Sequence, residues 1–412
     1  MAGHLVDTWY RTVAGPDGKT QQVPRASYGK GSRYRVRYLG PDGREKSKSF
    51  PDKKKREALA FLASVQTDVL RGSYVDPNAG RITFQAFTKE WMSATSVDEQ
   101  TMVRLEYEFR LHVLPQLGHL SLSAIHPSTI RAWGRQLQEK GLAASYRRVL
   151  YNDVSMVFNA AVDDKRIASS PFAAKSVRAP TYTPQKVIPW NAEQRIAMRS
   201  ATAPRYRICV DIGAGCGLRQ GEIFGLSPDD IDRDRRIIMV RRQIKIVRGR
   251  LIFALPKGRK TREVPLPRSV ADRLDHHAEK IPPVDVTLPF GTLTGEPVTV
   301  RLLLSRPDGS ALERNEFNLR VWKPTIRRAG IEDDRRNGMH VLRHTYASVL
   351  LDAGESIKAL ASYLGHTDPG FTLRVYTHLL PSSEDRTRRA IDAAFDADPP
   401  DPSGAPDGMS TA

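Results

Sequence analysis

Residues 339–379 read MHVLRHTYASVLLDAGESIKALASYLGHTDPGFTLRVYTHL, and their punctuation predicts three helices in succession. Val341, Leu342, Tyr346, Val349 and Leu350 recur at helical spacing and stop at Gly354. Ser356 caps a second helix through Ile357, Leu360, Ala361 and Leu364, which ends at Gly365. Asp368-Pro369 opens a third as cap and first-turn proline. On this frame His340 and Arg343, three apart, share a helix face; His366 follows the second glycine stop; Tyr376 lies inside the third helix. A guanidinium matches two phosphate oxygens, an imidazole moves protons, and a phenol can attack phosphorus. Singly, each has a plainer reading, because a helical tyrosine usually packs and a histidine behind a terminal glycine usually caps. Order and spacing carry the weight, and together they point to phosphate chemistry.

The ordered set His340-x-x-Arg343-His-Thr, Leu-Gly-His366 and Val-Tyr376-Thr-His resembles the C-terminal signature of the tyrosine site-specific recombinases, with the phage-integrase (lambda-integrase-like) branch nearest. That family also carries an arginine in a Gly-Leu-Arg-x-x-Glu setting, which Gly217-Leu218-Arg219-Gln220-Gly221-Glu222 matches, and a lysine on a β-hairpin. Lys257 is the candidate lysine, with Lys260 as alternative because Gly258 stands where the family usually has threonine. The interval from His366 to Tyr376 is one residue longer than is common, which Pro369-Gly370 absorbs. The resemblance implies that Tyr376 is the nucleophile and forms a 3′-phosphotyrosyl bond. Arg219 and Arg343 would neutralise the phosphate, His340 and His366 would hold it and assist proton transfer with His340 as base, and Lys257 would protonate the leaving oxygen. Glu222 would keep Arg219 aimed. The linkage conserves the ester's energy, so no cofactor, ATP or metal is expected. Tyr346 and Tyr363 are the rival nucleophiles.

The whole chain agrees with a polyanionic partner. Its 412 residues carry 64 Lys and Arg against 46 Asp and Glu, a net charge of +18 with a pI near 10.0. No apolar run approaches the roughly 20 residues of a spanning helix, and no apolar signal core follows Met1, so a bacterial cytoplasmic protein acting on DNA is expected. Cys209 and Cys216 are the only cysteines, which disfavours a disulfide scaffold. His340 and His344 are four apart without the Glu of a zinc helix, so no metal site is expected.

The fold class read from these patterns is α+β, mostly α, in three parts. Residues 1–75 form a small unit, a three-stranded sheet plus helix, resembling an arm-type DNA-binding domain. In it, residues 33–38 alternate Arg33, Arg35 and Arg37 with Tyr34, Val36 and Tyr38, and a returning strand from Arg44 to Phe50 carries Lys46 and Lys48. Pro16-Asp17-Gly18 and Pro41-Asp42-Gly43 mark turns, and a helix runs from Lys53 to Arg71. The Arg and Lys side chains fit either a solvated edge or a sheet laid into a DNA groove.

Residues 82–170 read as four or five helices, resembling the family's core-binding domain, with a break expected over Pro115-Gln116-Leu117-Gly118. Arg131, Arg135, Lys140, Arg147 and Arg148 are its candidate phosphate partners. A Ser/Pro-rich linker is placed at 171–187, as a hinge for a chain that clamps a duplex. A catalytic domain follows over 188–396, and a Pro/Asp/Gly/Ser-rich tail over 397–412 is expected to be disordered.

Within the catalytic domain, 237–247 and 251–255 alternate as strands, 281–313 reads as irregular, and 315–329 as a helix despite Pro324. Gly213, Gly215 and Gly217 resemble part of a phosphate loop, but its Lys-Ser/Thr is missing. Glu384 to Phe395 is a last amphipathic helix, fitting either its own domain or a neighbouring subunit.

The expected function is an integrase inserting and removing a prophage or other mobile element. Its partners would be double-stranded attachment sites and three further copies, in a homotetramer formed from monomers at synapsis. The resemblance also raises a host DNA-bending protein and an excision factor. The alternatives are a resolvase-type recombinase without arm sites, a relaxing topoisomerase, and a catalytically silent DNA-binding protein.

Overall fold

The computed structural model describes residues 3–14, 20–41, 43–376 and 384–395. The Pro16-Asp17-Gly18 turn, Asp42, the Thr377-His378 end of the signature and the 397–412 tail lie outside the described residues. The chain divides between Thr183 and Pro184 into two compact units. Each is mixed or mainly helical, in agreement with the expected α+β class.

The first unit begins with strands β1 (His4–Asp7), β2 (Tyr10–Ala14), β3 (Thr20–Pro24), β4 (Tyr34–Leu39) and β5 (Glu45–Phe50), then helix α1 (Lys55–Leu70). The sheet order is β1-β4-β5, all antiparallel, while β2 and β3 form a separate hairpin. Alternation sorts β4 as read: Tyr34, Val36 and Tyr38 are buried together with Ala58 and Val65 of α1. Register places the lysines of the returning strand. Lys48 pairs with Val36 and Lys46 with Tyr38, so both lysines lie on the helix-covered face and not beside Arg35 and Arg37. Their stems and charges are used there, with Lys48 Nζ 4.4 Å from the Phe61 ring centroid and Lys46 Nζ 2.7 Å from Asp76.

Helices α2 (Phe84–Ala94), α3 (Glu99–Glu108), α4 (Leu114–Leu117), α5 (Pro127–Glu139) and α6 (Ala144–Asp163) close a second core around Phe84, Phe109, Trp133, Val154 and Phe158. Thr83 caps α2 as expected, accepting from the Ala86 N–H. Phe172 and Val177 belong to this same core. The helix runs on through Pro115, because Phe109–Val113 widens into a π turn joining α3 to α4, and it ends at Leu117 with Gly118 as cap, inside the expected break. Proline lacks an N–H and crowds the carbonyl four residues back, and the wider turn relieves both.

The second unit contains α7 (Ala192–Ala201), α8 (Arg207–Cys216), α9 (Gln220–Phe224), β6 (Ile231–Asp232), β7 (Ile237–Val240), β8 (Gln243–Val247), β9 (Arg250–Ala254) and β10 (Arg262–Pro265). It continues through α10 (Arg268–Lys280), β11 (Val284–Pro289), β12 (Pro297–Leu302), α11 (Arg314–Phe317), α12 (Lys323–Arg328), α13 (His340–Asp352), α14 (Ile357–Leu364), α15 (Pro369–Tyr376) and α16 (Glu384–Phe395).

Two corrections fall here. The run 237–247 is two strands in separate sheets, β7 between β6 and β10, and β8 paired with β9. Arg242 marks the division, forked onto Asp230 at 2.6 and 3.0 Å. The stretch read as irregular holds the β11–β12 hairpin, whose Val286 and Val300 join the core. The helix through Pro324 forms by the same π-turn device over Asn318–Trp322. Gly213 and Gly215 lie inside α8, so the glycine triad is a helix and its cap, not a phosphate loop. Helices α8 and α13 pack on one another, which sets the frame for the polar cluster described next.

Candidate active site

Gly217 ends α8 with φ 65°, and a Cβ there would stand 2.3 Å from the Tyr346 ring, so only glycine fits. Its carbonyl accepts from Arg343 Nη1 at 2.8 Å. Two residues on, Arg219 caps α9 and folds back on Glu222: its N–H donates to Oε2 at 2.8 Å and its Nη1 to Oε1 at 2.9 Å. Arg262 of β10 supplies a second fork, donating to the two Glu222 oxygens at 2.9 and 2.7 Å, and its Nε donates to the Tyr363 carbonyl at 2.7 Å. Gly365 permits this. It stops α14 at φ 63°, and a Cβ would lie 2.9 Å from Arg262 Cδ.

Burial alone would raise the Glu222 carboxyl. The hydrogen bonds and charge of Arg262, helped by Arg219, overcome that and hold it down at about 2. The group is a carboxylate between two guanidiniums, which fixes where Arg219 points.

Arg343 is 1% exposed. Burial, reinforced by the charge of Arg219, lowers its guanidinium, which nevertheless stays protonated. Its Nη2 donates to the Leu364 carbonyl and to His366 Nε2, the latter at 3.1 Å. With Nε2 accepting, the His366 proton sits on Nδ1 and is donated to Thr372 Oγ1 at 2.7 Å. Burial, then Arg343 and Arg219, push this imidazole down to about 4.

Thr372 and Tyr376 are four apart on α15 and both are buried. The Tyr376 ring packs among Tyr346, Ala347, Leu351, Leu360 and Leu364. Its hydroxyl lies 2.8 Å from His344 Nδ1, and the His344 ring meets His340 edge-on at 4.7 Å. Burial pushes the phenol up to about 12 against the pull of Arg343 and Arg219, and pushes His344 down to about 4.

The structure therefore gathers Arg219, Glu222, Arg343, His366 and Tyr376 into one cluster, with His340 beside His344 and within the field of Arg343 and Arg219. Lys257 and Lys260 are exposed on the turn between β9 and β10. That turn passes beside the site, since a Cβ on Gly258 would lie 3.8 Å from the Thr367 methyl. Of the rival phenols, Tyr346 is buried and shifted upward by that burial, and Tyr363 serves through its carbonyl. Among the described residues no group of metal-ligating side chains assembles.

The candidate DNA contacts divide. Arg35 and Arg135 are exposed, whereas Arg37 lies 3.2 Å from Glu45. Arg33 is held by Asp7 at 3.0 Å and Asp52 at 3.1 Å. Arg131 donates to Ser176, Arg147 to Gln138 and the Leu142 carbonyl, and Arg148 to the Pro180 carbonyl.

Three members of the cluster were not singled out in the sequence for these parts: Arg262, Thr372 and His344. Thr372 and His344 carried a signal, each standing four residues from a named member on the same helix. Arg262 carried none, because its partner lies 40 residues away across the fold.

Comparison with known proteins agrees with this picture. The profile of the phage integrase family matches residues 191–383, and that of the phage integrase N-terminal SAM-like domain matches 83–138. A tyrosine recombinase XerC-like protein of Caldanaerobacter subterraneus is 25% identical over 367 residues, covering 84% of this chain and 92% of its own. An integrase of Mycobacterium phage FRAT1 is 26% identical over 348 residues, covering 82% and 98%. Among solved structures, the Tn1549 transposon integrase in complex with a circular intermediate DNA superposes with a TM-score of 0.63 at 20% identity, covering 75% of this chain and 98% of that one. A lambda integrase tetramer bound to a Holliday junction gives 0.53 at 15%, covering 81% and 93%. At these identities the two structures speak to the fold.

Proposed function

Because the chain belongs to the phage integrase family and is a tyrosine recombinase, a site-specific integrase, we propose that the cluster around Arg343 is where it cuts and rejoins DNA. The Tyr376 oxygen attacks the scissile phosphorus, giving up its proton to a site histidine. An O–P bond to tyrosine forms, and the bond from phosphorus to the 5′-oxygen breaks. Lys257, on the turn bordering the site, gives the departing oxygen its proton. Attack by the 5′-hydroxyl of a partner strand reverses these steps and joins the new pair.

Arg219 and Arg343 meet the charge that grows on the non-bridging oxygens. The Glu222 clamp keeps Arg219 in place with no rearrangement at the moment of reaction. His340 and His366 hold the phosphate. The observation that carries this reading is convergence: Arg343 bonds the Gly217 carbonyl two residues before Arg219, and also His366, whose own partner Thr372 shares a helix with Tyr376. Arg343 and Tyr376 are each 1% exposed, so a phosphate reaches them only when the side chains above them part.

The proposed partners are duplex attachment sites and, at synapsis, three further copies, by analogy with the lambda integrase tetramer on its junction. The open face carrying Arg35 and Arg37 is proposed to contact arm-type DNA, with helices of residues 82–170 and Arg135 on core DNA. A host DNA-bending protein and an excision factor complete the proposed assembly, which works in the bacterial cytoplasm.

The test uses a nicked duplex carrying the junction between the element and its host chromosome, taken from the sequence flanking the gene. Wild type gives a detergent-resistant protein–DNA adduct, and Tyr376→Phe gives none. An adduct that persists in Tyr376→Phe would refute the assignment.

A further inference from the structure

The family resemblance gives the base role to His340, yet the side chain in contact with the Tyr376 hydroxyl is His344. We infer that His344 takes the proton of the nucleophile through Nδ1, with His340 behind it as a neighbour rather than as the acceptor. This deepens the recombinase reading above and rests on Tyr376 being the nucleophile.

The geometry selects the atom. Phenol and imidazole are both neutral near pH 7, and the phenol is the stronger acid of the two. Its O–H therefore donates to His344 Nδ1 across 2.8 Å, and the ring's own proton sits on Nε2. The bond that must break already points at the lone pair that would receive the proton. A general base needs that reach before anything else. His340 lies beside His344, ring to ring at 4.7 Å, and faces the charges of Arg343 and Arg219.

The helix bearing the phenol is also held in register. Thr372, one turn before Tyr376, is fixed by His366 at 2.7 Å, so α15 is docked by two imidazole–hydroxyl bonds four residues apart. This keeps the Tyr376 oxygen against His344 instead of leaving it to rotate.

Charge supplies the timing. Burial, and after it the charge of Arg343, disfavours an imidazolium at His344. An incoming phosphodiester adds one negative charge, and the pentacoordinate species made by attack adds another. Protonating His344 becomes easier as the O–P bond forms. In the balance, the phenol O–H breaks, N–H forms at Nδ1, and the oxygen's electron pair goes to phosphorus. The proton returns to the phenol when the tyrosyl bond is broken.

The test measures adduct formation on the same nicked duplex, with DNA affinity followed in parallel. His344→Asn places an amide oxygen where Nδ1 stood, so it preserves a hydrogen-bond acceptor but cannot carry the proton. We expect its cleavage rate at saturating DNA to fall at least about 100-fold with affinity unchanged. The rate should then rise with pH as the phenol ionises unaided, while wild type levels off. His340→Asn should show no such alkaline recovery. A His344→Asn rate within a few-fold of wild type would overturn the proposal in favour of simple positioning. Alkaline recovery in His340→Asn alone would overturn it in favour of His340. Should His344→Asn lose DNA binding, the His340→Asn pH profile decides. Loss of the adduct in wild type, or its persistence in Tyr376→Phe, would instead sink the nucleophile assignment itself.

Discussion

Two buried carboxylates, Glu222 in the second unit and Glu108 in the first, are 1% and 5% exposed, yet their chemistry is opposite. Glu222 is shared by two guanidiniums, Arg219 and Arg262, and is held down at about 2. Glu108 has one, Arg104, which also serves Asp153 at 2.7 Å. Burial lifts Glu108, the charge of Arg104 pulls against it, and Asp153 pushes it higher still, to about 7. Depth does not set the ionisation state; the ratio of cations to carboxylates does. Where cations are in excess, the result is a fixed positive pocket suited to a phosphate. Where carboxylates are in excess, a proton fills the gap.

The sharpest way to break this contrast is Arg262→Met. It strips Glu222 of one fork and leaves the Tyr363 carbonyl without its donor, so a loss of about 3–5 kcal/mol is expected in urea unfolding. Adduct formation should fall by more than about 100-fold as Arg219 loses its anchor. Arg262→Lys keeps the charge without the fork and should recover only part of either. An Arg262→Met protein as stable and active as wild type would show that Arg219 alone suffices.

Arg104→Met should cost about 2 kcal/mol at pH 8 and much less at pH 5, because the Glu108 carboxyl it abandons is then neutral. An equal loss at both pH values would mean that packing of the arginine stem, not charge, was removed.

The pH dependences have opposite sign. Glu222 is depressed from an ordinary 4.5 to about 2, so its stabilisation is complete above 4.5 and disappears as pH falls toward 2. Glu108 is raised from 4.5 to about 7, so its folded state is favoured below 4.5 and loses that advantage as pH rises toward 7. Glu108→Gln should therefore stabilise the protein by about 1 kcal/mol at pH 8 and by nothing at pH 5, measured by urea midpoints.

The smallest effect concerns charge left facing solvent. Arg35→Ser should leave stability unchanged and reduce the slope of log affinity against log salt for arm DNA by about one. Lys48→Ser, on the covered face of the same sheet, should leave that slope alone. Equal effects would mean that both faces meet DNA.

The helices and the members of the site were largely legible in the sequence. Thr83, Asn191, Ser356 and Asp368 accept from the first-turn N–H groups of their helices, and Gly365 stops α14 in the left-handed region. These are local events, decided within four residues. Arg219, Arg343, His366 and Tyr376 were legible as a set because their order and spacing resemble the family's signature. At Pro115 a π turn carries the helix a few residues further, to Leu117, before it breaks at Gly118. The 281–313 stretch misled because prolines and glycines crowd the ends of its two short strands, although Val284, Val286 and Leu288, then Val298, Val300 and Leu302, alternate cleanly.

What the chain determined by itself was the set of helices and the list of groups able to handle a phosphate, since periodicity, capping and chemical type are properties of neighbouring residues. The fold alone decided that Arg262 completes the clamp on Glu222, that Lys46 and Lys48 turn away from Arg35, and that His344 rather than His340 meets the phenol. Those pairings join residues 8 to 40 positions apart, where strand register and helix docking place atoms to within a hydrogen bond's length and no local pattern reaches.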